Sequence, residues 1–379
     1  MGDPAVAAYT DPALDLTGPW SRKTGEAVEF TVLPWAEYFP ALTEALESGA
    51  GKYDVVMIAG HLWLQDFVSR GFLLPLEGIR GAVDRYGAFE DILPKVRAEL
   101  AVGEEIYLIP SFTDGHILFY QKDPVERVLG GPLPEVLTVS EFTAAAEQLA
   151  LASGKPGETL VMKAHESEIF LDWLPHYAEG GQNLFGPGLE PRFNSPRGVE
   201  ALERYASLKR LALPVSLRAG NEEVCEALRT GSCLMGVSWG GQARFIASPE
   251  ALDRGMGFAT FREPWNVTWG FAVPRGAEWR ESLADFLGFL ASPEVDRQVG
   301  ARAGSPVRDS SYRGEVLPWY PVQRTMVELS RPLPSFRGSG EVYGLFYKWI
   351  YRAFSGETAA AAALSGLDRE VREALASRS

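Results

Sequence analysis

The sequence predicts an α/β protein built from two lobes, and three observations support this. Its 379 residues are enough for two ordinary hydrophobic cores. Short apolar runs typical of strands alternate with amphipathic segments typical of helices, an order characteristic of α/β folds. Joints that contain proline and glycine interrupt these elements at 110–115, 262–270 and 304–318. Three crossings between lobes would make both lobes discontinuous, with 1–110 plus 266–312 in one and 111–265 plus 313–379 in the other.

The first 60 residues contain three candidate strands and one clear helix. The strands are "AVAAYT" (5–10), "VEFTVL" (28–33) and "YDVVMIAG" (53–60). The third is a continuous apolar run, which is typical of a buried parallel strand. Between the last two, apolar residues from 38 to 46 recur at helical spacing, and Gly49 marks the end of the helix. This alternation predicts βαβ units in the first lobe.

Later elements have clear start signals. "IYLIP" (106–110) and "ILFYQKD" (117–123) indicate a strand pair broken at Pro110. Thr138-x-x-Glu141 is a capping box that opens a helix. Ser195-Pro196 and Ser292-Pro293 each offer an N-cap followed by proline at the first helical position. Further helices are predicted at 281–290, 341–354 and 367–375.

Composition excludes several classes of partner. The formal net charge is −14, which disfavours binding to nucleic acid or anionic lipid, because both attract cationic surfaces. No apolar stretch is long enough to span a membrane.

The two cysteines, Cys225 and Cys233, flank a predicted helix-to-strand turn that could bring them together. A disulfide between them is our expectation if the protein is exported, and two small core residues are the alternative.

Residues 236–240, "GVSWG", match the G-x-S-x-G pattern of a hydrolase nucleophile. In the hydrolase fold the catalytic histidine follows the serine, whereas all four histidines here precede Ser238. We expect Ser238 to be no nucleophile: strand alternation should point it into its lobe and point Trp239 outward.

The one candidate metal motif, "HESE" (165–168), lacks the second histidine of H-E-x-x-H. We predict no catalytic residue, no metal and no cofactor.

The tryptophans are the most informative residues. The chain has ten, and several stand beside glycine, proline or carboxylates near predicted strand ends rather than on apolar helix faces. Burial in the core remains the alternative for any single one. Their shared placement favours a binding site. The group comprises Trp35, Trp63, Trp239, Trp265 and Trp269.

Several segments, in order, match one known family. They include "YDVVMIAGHLWLQDFVSRGFLLPLEGI" (53–79), "IYLIPSFTDGHILFYQKDPVERV" (106–128), "EEVCEALRTGSCLMGVSW" (222–239) and "YGLFYKWIYRAFSG" (343–356). In their order and spacing they resemble the extracellular solute-binding protein family 1, the sugar-type substrate-binding proteins of ABC importers. The resemblance covers nearly the whole chain. It departs after "AVAAYT", where Gly18 and Pro19 require the first helix to be short or broken, which affects ligand contacts near Thr10 and Asp11.

The resemblance implies a type II periplasmic-binding-protein clamshell, each lobe a mixed sheet flanked by helices, with a hinge that closes on a ligand in an interlobe cleft. Flat aromatic faces and carboxylates suit a sugar, whose hydroxyls must all be paired when buried. The positions that match the family's ligand contacts are His61, Trp63, Phe112, Asp114, Glu168, Trp239, Trp265, Trp269 and Tyr343. Trp35 and Glu37 are predicted rim residues.

The resemblance also implies partners and location. The expected partners are a mono- or oligosaccharide and membrane-embedded ABC permease subunits. The protein is expected to act outside the cytoplasm as a monomer and to bind no nucleic acid. Because "MGDPAVAAYT" has no signal-peptide pattern, either the protein is cytoplasmic or the sequence begins at or after a processed end. The resemblance implies the second, with the signal segment absent from this sequence. One alternative keeps the fold but binds a polyol or a glycerophosphodiester, with Arg244 and Arg308 available for a phosphate. A second is a two-lobed carbohydrate hydrolase.

Overall fold

A computed structural model describes residues 4–302, 304–314 and 317–377. Contacts divide the chain into two compact units. Unit 1 comprises Met1–Asp114, Asn266–Arg324 and Pro332–Ser339, and unit 2 comprises Gly115–Trp265, Thr325–Arg331 and Gly340–Ser379. The chain therefore passes between units after residues 114, 265, 324, 331 and 339.

The elements occur in the following order. Up to the first passage between units they are α1 (Pro4–Thr10), α2 (Gly18–Thr24), α3 (Trp35–Ser48), β1 (Val56–Ala59), α4 (Gln65–Ser69), α5 (Ile79–Asp84), α6 (Pro94–Arg97), β2 (Ala101–Val102), β3 (Glu105–Ile106) and β4 (Ile109–Asp114). Unit 2 then contains β5 (His116–Gln121), α7 (Lys122–Leu129), β6 (Val136–Leu137), α8 (Val139–Ser153), β7 (Leu160–Val161), α9 (Ile169–Ala178), α10 (Pro196–Ser207), α11 (Asn221–Thr230), β8 (Met235–Trp239), α12 (Ala243–Ile246), α13 (Pro249–Asp253) and β9 (Met256–Phe261). The remainder is β10 (Trp265–Ala272), α14 (Glu281–Leu290), α15 (Pro293–Gly300), α16 (Tyr320–Leu329), β11 (Arg331–Pro332), α17 (Ser339–Ser355) and α18 (Ala360–Ala376).

The start and stop signals read from the sequence are present. Thr138 and Glu141 form the capping box of α8. Ser195 and Ser292 cap α10 and α15 through their hydroxyl groups. Helix α3 ends at Gly49, which has a φ of 61°, a left-handed conformation that glycine adopts without strain. The helix after the first segment is short, as Gly18 and Pro19 require.

The first two predicted strands are wrong. Residues 5–10 lie in α1, because alanine is the strongest helix former and Pro4 suits the first turn. Residues 28–33 belong to a described segment, 25–34, without regular secondary structure. A strand needs a ladder as well as an alternating pattern. Residues of this segment line a cavity of about 720 Å³ in unit 1, together with aromatic residues such as Tyr9 and Phe271 and charged residues such as Arg280.

The sheet of unit 1 is antiparallel where its pairing is described. β1 pairs with β10 on one side, and β4 pairs with β10 on the other. The parallel arrangement expected for β1 is therefore wrong, because its partner comes from much later in the chain.

In unit 1 the fully buried Arg308 donates hydrogen bonds to the carbonyls of Ala291 and Ala88. This guanidinium ties three segments of unit 1 together.

The sheet of unit 2 is mixed and has the order β6-β9-β5-β8-β7. β5 is central and antiparallel to both β8 and β9, while the edge strands β6 and β7 are parallel to their neighbours. β4 and β5 are not the strand pair that the sequence suggested, since they belong to different sheets. The break falls at Gly115 instead of Pro110. A β-carbon at Gly115 would lie 2.4 Å from the carbonyl oxygen of Trp265, so only glycine fits there.

Candidate functional site

Three aromatic rings meet where β5 begins and β8 ends in the unit 2 sheet. His116 begins β5 and is the register partner of Trp239, which ends β8. Trp265 begins β10. The His116 ring centroid lies 5.0 Å from that of Trp239 and 4.8 Å from that of Trp265, and the two tryptophans are 5.0 Å apart at 84°. Edge-to-face packing of this kind fixes the orientation of each ring. We call these residues the unit 2 aromatic cluster.

Trp239 is the half-buried member of this cluster, whereas His116 and Trp265 are buried. Its indole N–H donates to Glu168 Oε2 over 3.0 Å. Glu168 immediately precedes α9, and its carboxylate bonds to Trp239 instead of capping that helix. Trp265 donates its own N–H to the carbonyl of Leu171, which makes it a support for Trp239. Trp239 thus presents part of its ring from a rigid setting.

A buried lysine lies behind Trp239. Lys163 follows β7, and its side chain is fully buried. Its ammonium donates to Asn221 Oδ1 over 2.8 Å and lies 5.6 Å from the centroid of the Trp239 ring. A cation at this distance from an indole attracts its electron-rich face. Lys163 was not among the site residues predicted from the sequence, although a lysine at the end of an apolar run can indicate a buried charge.

Asp172 is the second charged group that the sequence analysis missed. It lies on α9, accepts a hydrogen bond from the hydroxyl of Tyr205 at 2.8 Å, and has Oδ1 3.8 Å from His116 Nδ1. Burial raises the pKa of Asp172 to about 7, opposed by the Tyr205 hydrogen bond and the positive charge of Lys163. Burial, reinforced by Lys163, lowers the pKa of His116 well below its usual range. His116 is therefore neutral at pH 7.

Tyr343 and Tyr347 occupy different environments on α17. Tyr343 is 1% exposed, and its ring stacks on Phe170 at a centroid distance of 5.4 Å. It belongs to the apolar core of unit 2. Tyr347, one helical turn later, is half-buried, and burial followed by the negative charge of Glu168 raises its pKa well above its usual value. Of the two tyrosines, Tyr347 is the one beside Glu168.

Unit 1 holds its own cluster of aromatic rings. Phe112, on β4, stacks on Trp269 with a centroid distance of 6.1 Å and an angle of 9°. Trp63 meets Trp269 edge-on at 5.8 Å. Phe112 and Trp63 are buried, whereas Trp269 is half-buried and also lines the cavity described above. We call Trp63, Phe112 and Trp269 the unit 1 aromatic cluster.

The remaining predicted residues of unit 1 are dispersed around this cluster. His61 lies in a single π-helical turn, Gly60–Leu64, directly after β1. Burial lowers its pKa to about 3, so it is neutral at pH 7. Asp114, the last residue of β4, is 8% exposed. Glu37 lies exposed on α3, and the side chain of Trp35 lies outside the described residues.

A polar network lies under the strands of unit 1. Asn266 Nδ2 donates to Glu99 Oε1 over 2.6 Å and to Thr113 Oγ1 over 3.1 Å. Glu99 also accepts hydrogen bonds from Thr268. Burial nevertheless raises the pKa of Glu99 from 4.5 to about 8, since these donors only partly offset the loss of solvation. The folded protein therefore holds a proton on Glu99 that the unfolded chain releases at neutral pH.

This network makes stability depend on pH. A carboxyl whose pKa is raised on folding contributes stability below its unfolded pKa and loses that contribution as the pH rises through the folded value. Because Glu99 as a whole is half-buried, we expect the free energy of unfolding to fall by about 1–2 kcal/mol between pH 6.5 and 8. Urea unfolding at several pH values measures this. Glu99→Gln should remove most of the slope and the exposed Glu104→Gln none of it; an unchanged slope in Glu99→Gln would contradict the assignment.

Ser238 and the cysteines resolve two sequence expectations. Ser238 is fully buried, whereas the next residue of β8, Trp239, is half-buried, which fits side chains on opposite faces of the strand. The disulfide is not formed: Cys225 and Cys233 are free thiols. Cys225 instead donates its S–H to Gln242 Oε1 over 3.3 Å. Among the described residues, no group of three or more histidine, cysteine or acidic side chains could hold a metal ion.

Comparison with known proteins places the chain in a family. Residues 4–297 match the family model for bacterial extracellular solute-binding proteins, which is more than half of the chain. The chain belongs to the bacterial extracellular solute-binding protein family. A mannitol-binding protein of Pseudomonas aeruginosa is 25% identical to this solute-binding protein, and the alignment covers 92% of this chain and 87% of the relative.

Solved structures share the fold of this solute-binding protein. One is a solute-binding protein of Agrobacterium radiobacter K84 in complex with ribitol, with a TM-score of 0.83, 20% identity and coverage of 98% and 96% of the two chains. Another is maltose-bound MalE3 of T. maritima, with a TM-score of 0.81, 18% identity and coverage of 98% and 97%. These similarities confirm the fold class predicted from the sequence. Within the described chain, no helix is both long and apolar enough to cross a bilayer.

Proposed function

We propose that this solute-binding protein captures a sugar or a sugar alcohol and delivers it to an ABC importer. The observation that carries the proposal is Trp239, a half-buried indole whose N–H is bonded to Glu168 and whose edges are packed by buried rings. A fixed aromatic face suits the C–H surface of a polyhydroxylated ligand, and nearby carboxylates suit its hydroxyls. Trp269 offers a similar half-buried indole in unit 1.

We propose the following contributors to solute binding. Trp239, Trp269, Glu168 and Asp114 would contact solute; Trp63, Phe112 and Trp265 would support the two indoles from beneath. His61 is proposed as a lining residue, and Glu37 as a rim residue. Tyr347 replaces Tyr343 in this assignment, because Tyr343 is committed to core packing. Trp35 keeps its rim assignment from the sequence alone.

The class of solute follows from which charged groups are available. A phosphate-bearing solute would need a free guanidinium, but Arg308 is fully buried and spends its donors on backbone carbonyls and Asp91. Arg244 is exposed on α12. Burial of Arg308 removes one of the two arginines considered for a phosphate, which favours an uncharged polyhydroxyl solute over a glycerophosphodiester. The mannitol-binding relative and the ribitol complex support extending the solute class from sugars to sugar alcohols.

We propose that the protein performs no chemistry on its solute. Family membership supports this, and the serine of the hydrolase-like pattern, Ser238, is fully buried. The protein would act outside the cytoplasm as a monomer and dock on the membrane-embedded subunits of its importer. Incubation with a sugar panel should return every bound sugar unchanged, whereas the hydrolase alternative requires product.

The decisive experiment is a substitution at Trp239. A panel of sugars and sugar alcohols, including maltose, ribitol and D-mannitol, is first screened by thermal shift, since a ligand at 100 times its Kd adds roughly 2.7 kcal/mol of stability. Trp239→Ala should then weaken binding of the best solute by about 1–3 kcal/mol, the scale of a lost aromatic anchor. Isothermal titration calorimetry measures the Kd.

Two variants control for general damage. Trp279→Ala removes another half-buried tryptophan that belongs to neither aromatic cluster, and it should leave the Kd unchanged. Ser238→Ala should also leave affinity intact. Equal losses of affinity in Trp239→Ala and Trp279→Ala would refute the assigned role of Trp239, and abolition of a measured esterase activity by Ser238→Ala would restore the hydrolase alternative.

A further inference from the structure

Two buried charged groups lie behind Trp239, and neither is explained by direct contact with a solute. Lys163 is fully buried, and Asp172 is 7% exposed. Burying charged groups is costly unless they are paired and hydrogen-bonded. An ordinary apolar core would stabilise unit 2 at least as well. The pair is therefore better explained by an effect on the half-buried indole that it supports.

We propose that Lys163 and Asp172 are positioning residues that hold Trp239 in its binding orientation and make this orientation, and with it the affinity for solute, sensitive to pH near neutrality. Only the part of the test that uses a solute rests on the proposed function. The inference concerns groups that act through Trp239, since the Lys163 side chain has no exposed surface with which to touch a solute.

Asp172 is linked to Trp239 through Lys163, partly by hydrogen bonds and partly by the electrostatic interaction between Asp172 and the Lys163 ammonium. The carboxylate of Asp172 accepts hydrogen bonds from Tyr205 and from the backbone N–H of Lys163. The Lys163 ammonium then lies over the Trp239 ring, and the indole N–H of Trp239 is bonded to Glu168. A change in the charge of Asp172 is therefore felt by Lys163 and passed to the indole.

The charges around Asp172 and Lys163 determine the sign of the effect. With Asp172 ionised, its negative charge offsets the positive charge of Lys163. With Asp172 protonated, that counter-charge is lost, and the Glu168 carboxylate that accepts the indole N–H of Trp239 remains to attract the ammonium. Acidification should therefore disturb Trp239 and weaken binding. The groups that face the pair from the packed elements are His116 on β5, Glu168 before α9, Tyr205 on α10, and Asn221 and Cys225 on α11. Tyr347 on α17 interacts with Glu168.

Three of the titratable neighbours do not change charge near pH 7. Burial lowers the pKa of His116 well below its usual range, and burial raises that of Cys225 to about 11 and that of Tyr347 well above its usual value. Burial sets the pKa of Asp172 itself at about 7. The transition is therefore expected within the physiological range.

The test uses the whole protein labelled with 5-fluorotryptophan. The ¹⁹F resonance of Trp239 is assigned by its loss in Trp239→Phe, and its shift is followed from pH 5.5 to 8.5 without solute. We expect the resonance to titrate with a midpoint near pH 7 in the wild type and to stay constant in Asp172→Asn. Tyr205→Phe removes a donor to the ionised carboxylate and should move the midpoint to higher pH. Asp309→Asn, a carboxyl of unit 1, should leave the titration unchanged.

Lysine variants and a solute arm complete the design. Lys163→Met should abolish the titration of the Trp239 resonance, and Lys163→Arg, which keeps the charge, should restore it. The Kd for maltose or D-mannitol, whichever the screen selects, should be about fivefold weaker at pH 5.5 than at 8.5 in the wild type, a typical coupling between sites. The same ratio in Asp172→Asn should be close to one.

The outcomes separate the two hypotheses. A Trp239 resonance that does not move with pH in the wild type, or that still titrates in Asp172→Asn, overturns the positioning role even if solute binds. A titrating resonance in a protein that binds none of the panel supports the positioning role and counts against the proposed function instead. If Lys163→Met does not fold, the loss of titration expected in Asp172→Asn and the higher midpoint expected in Tyr205→Phe still decide the matter.

Discussion

Replacing Arg308 with methionine should lower the free energy of unfolding by about 3–5 kcal/mol, the range found when one partner of a buried ion pair is removed. The Arg308 guanidinium donates to the carbonyls of Ala291 at 2.6 Å, Ala88 at 2.8 Å and Gly87 at 3.3 Å, and it pairs with Asp91 at 3.3 Å. Methionine fills a similar volume but donates no hydrogen bond, so these acceptors lose their partner. Urea unfolding at pH 7 measures the loss.

A surface arginine supplies the matched control for this experiment. Arg313 also pairs with an aspartate, but its side chain is 74% exposed. Exposed ion pairs contribute little, so Arg313→Met should change stability by less than about 1 kcal/mol. Because Arg308 has no part in the proposed solute contacts, the folded fraction of Arg308→Met should keep its affinity. A loss of affinity without a loss of stability would instead support the phosphate-binding alternative.

Tyr343→Ala should be destabilising to a similar extent, by about 3–5 kcal/mol, the usual cost of truncating a buried aromatic residue. The ring of Tyr343 stacks on Phe170 and packs at 6.3 Å from Phe346, so its removal leaves a cavity in the core of unit 2. Thermal or urea unfolding checks this, and Tyr343→Phe should retain most of the stability because it keeps the ring.

The same pair of variants tests whether Tyr343 contacts solute. If Tyr343 is a core residue, Tyr343→Phe should bind solute with unchanged Kd. The corresponding change at Tyr347, Tyr347→Phe, should weaken binding if its hydroxyl contributes beside Glu168. Weakened binding in Tyr343→Phe with full stability would return Tyr343 to the list of solute contacts.

Local signals predicted the helices well because each depends on a few neighbouring residues. The capping box at Thr138 and the glycine at the end of α3 require no knowledge of the rest of the chain. Strands are different, since a strand exists only if another segment pairs with it. The run at 28–33 has the right alternation but no ladder, and β1 pairs with β10, more than 200 residues away. Neither fact can be read from local pattern.

The candidate site was predicted unevenly for a related reason. The sequence predicts tryptophans near strand ends; Trp239 does end β8, whereas Trp269 lies inside β10, and both are half-buried. Which tryptophans support them from beneath depends on tertiary packing, as the buried Trp265 shows. Lys163 and Asp172 escaped because a single charge in an apolar segment usually lies at the surface. Asp172, however, is the only charged residue of α9, and such isolation is a signal worth using.

The two free cysteines have a practical consequence for labelling chemistry. Burial raises the pKa of Cys225 to about 11 and that of Cys233 to about 12, so both remain protonated at neutral pH. Maleimides react with the thiolate, and a protonated, shielded thiol is a poor target. A cysteine introduced at the exposed position 244, five residues beyond Trp239, would therefore be the preferred attachment point for a fluorophore. The wild-type protein is already suited to conversion into a reagentless optical sensor, because its two native cysteines need not be replaced first.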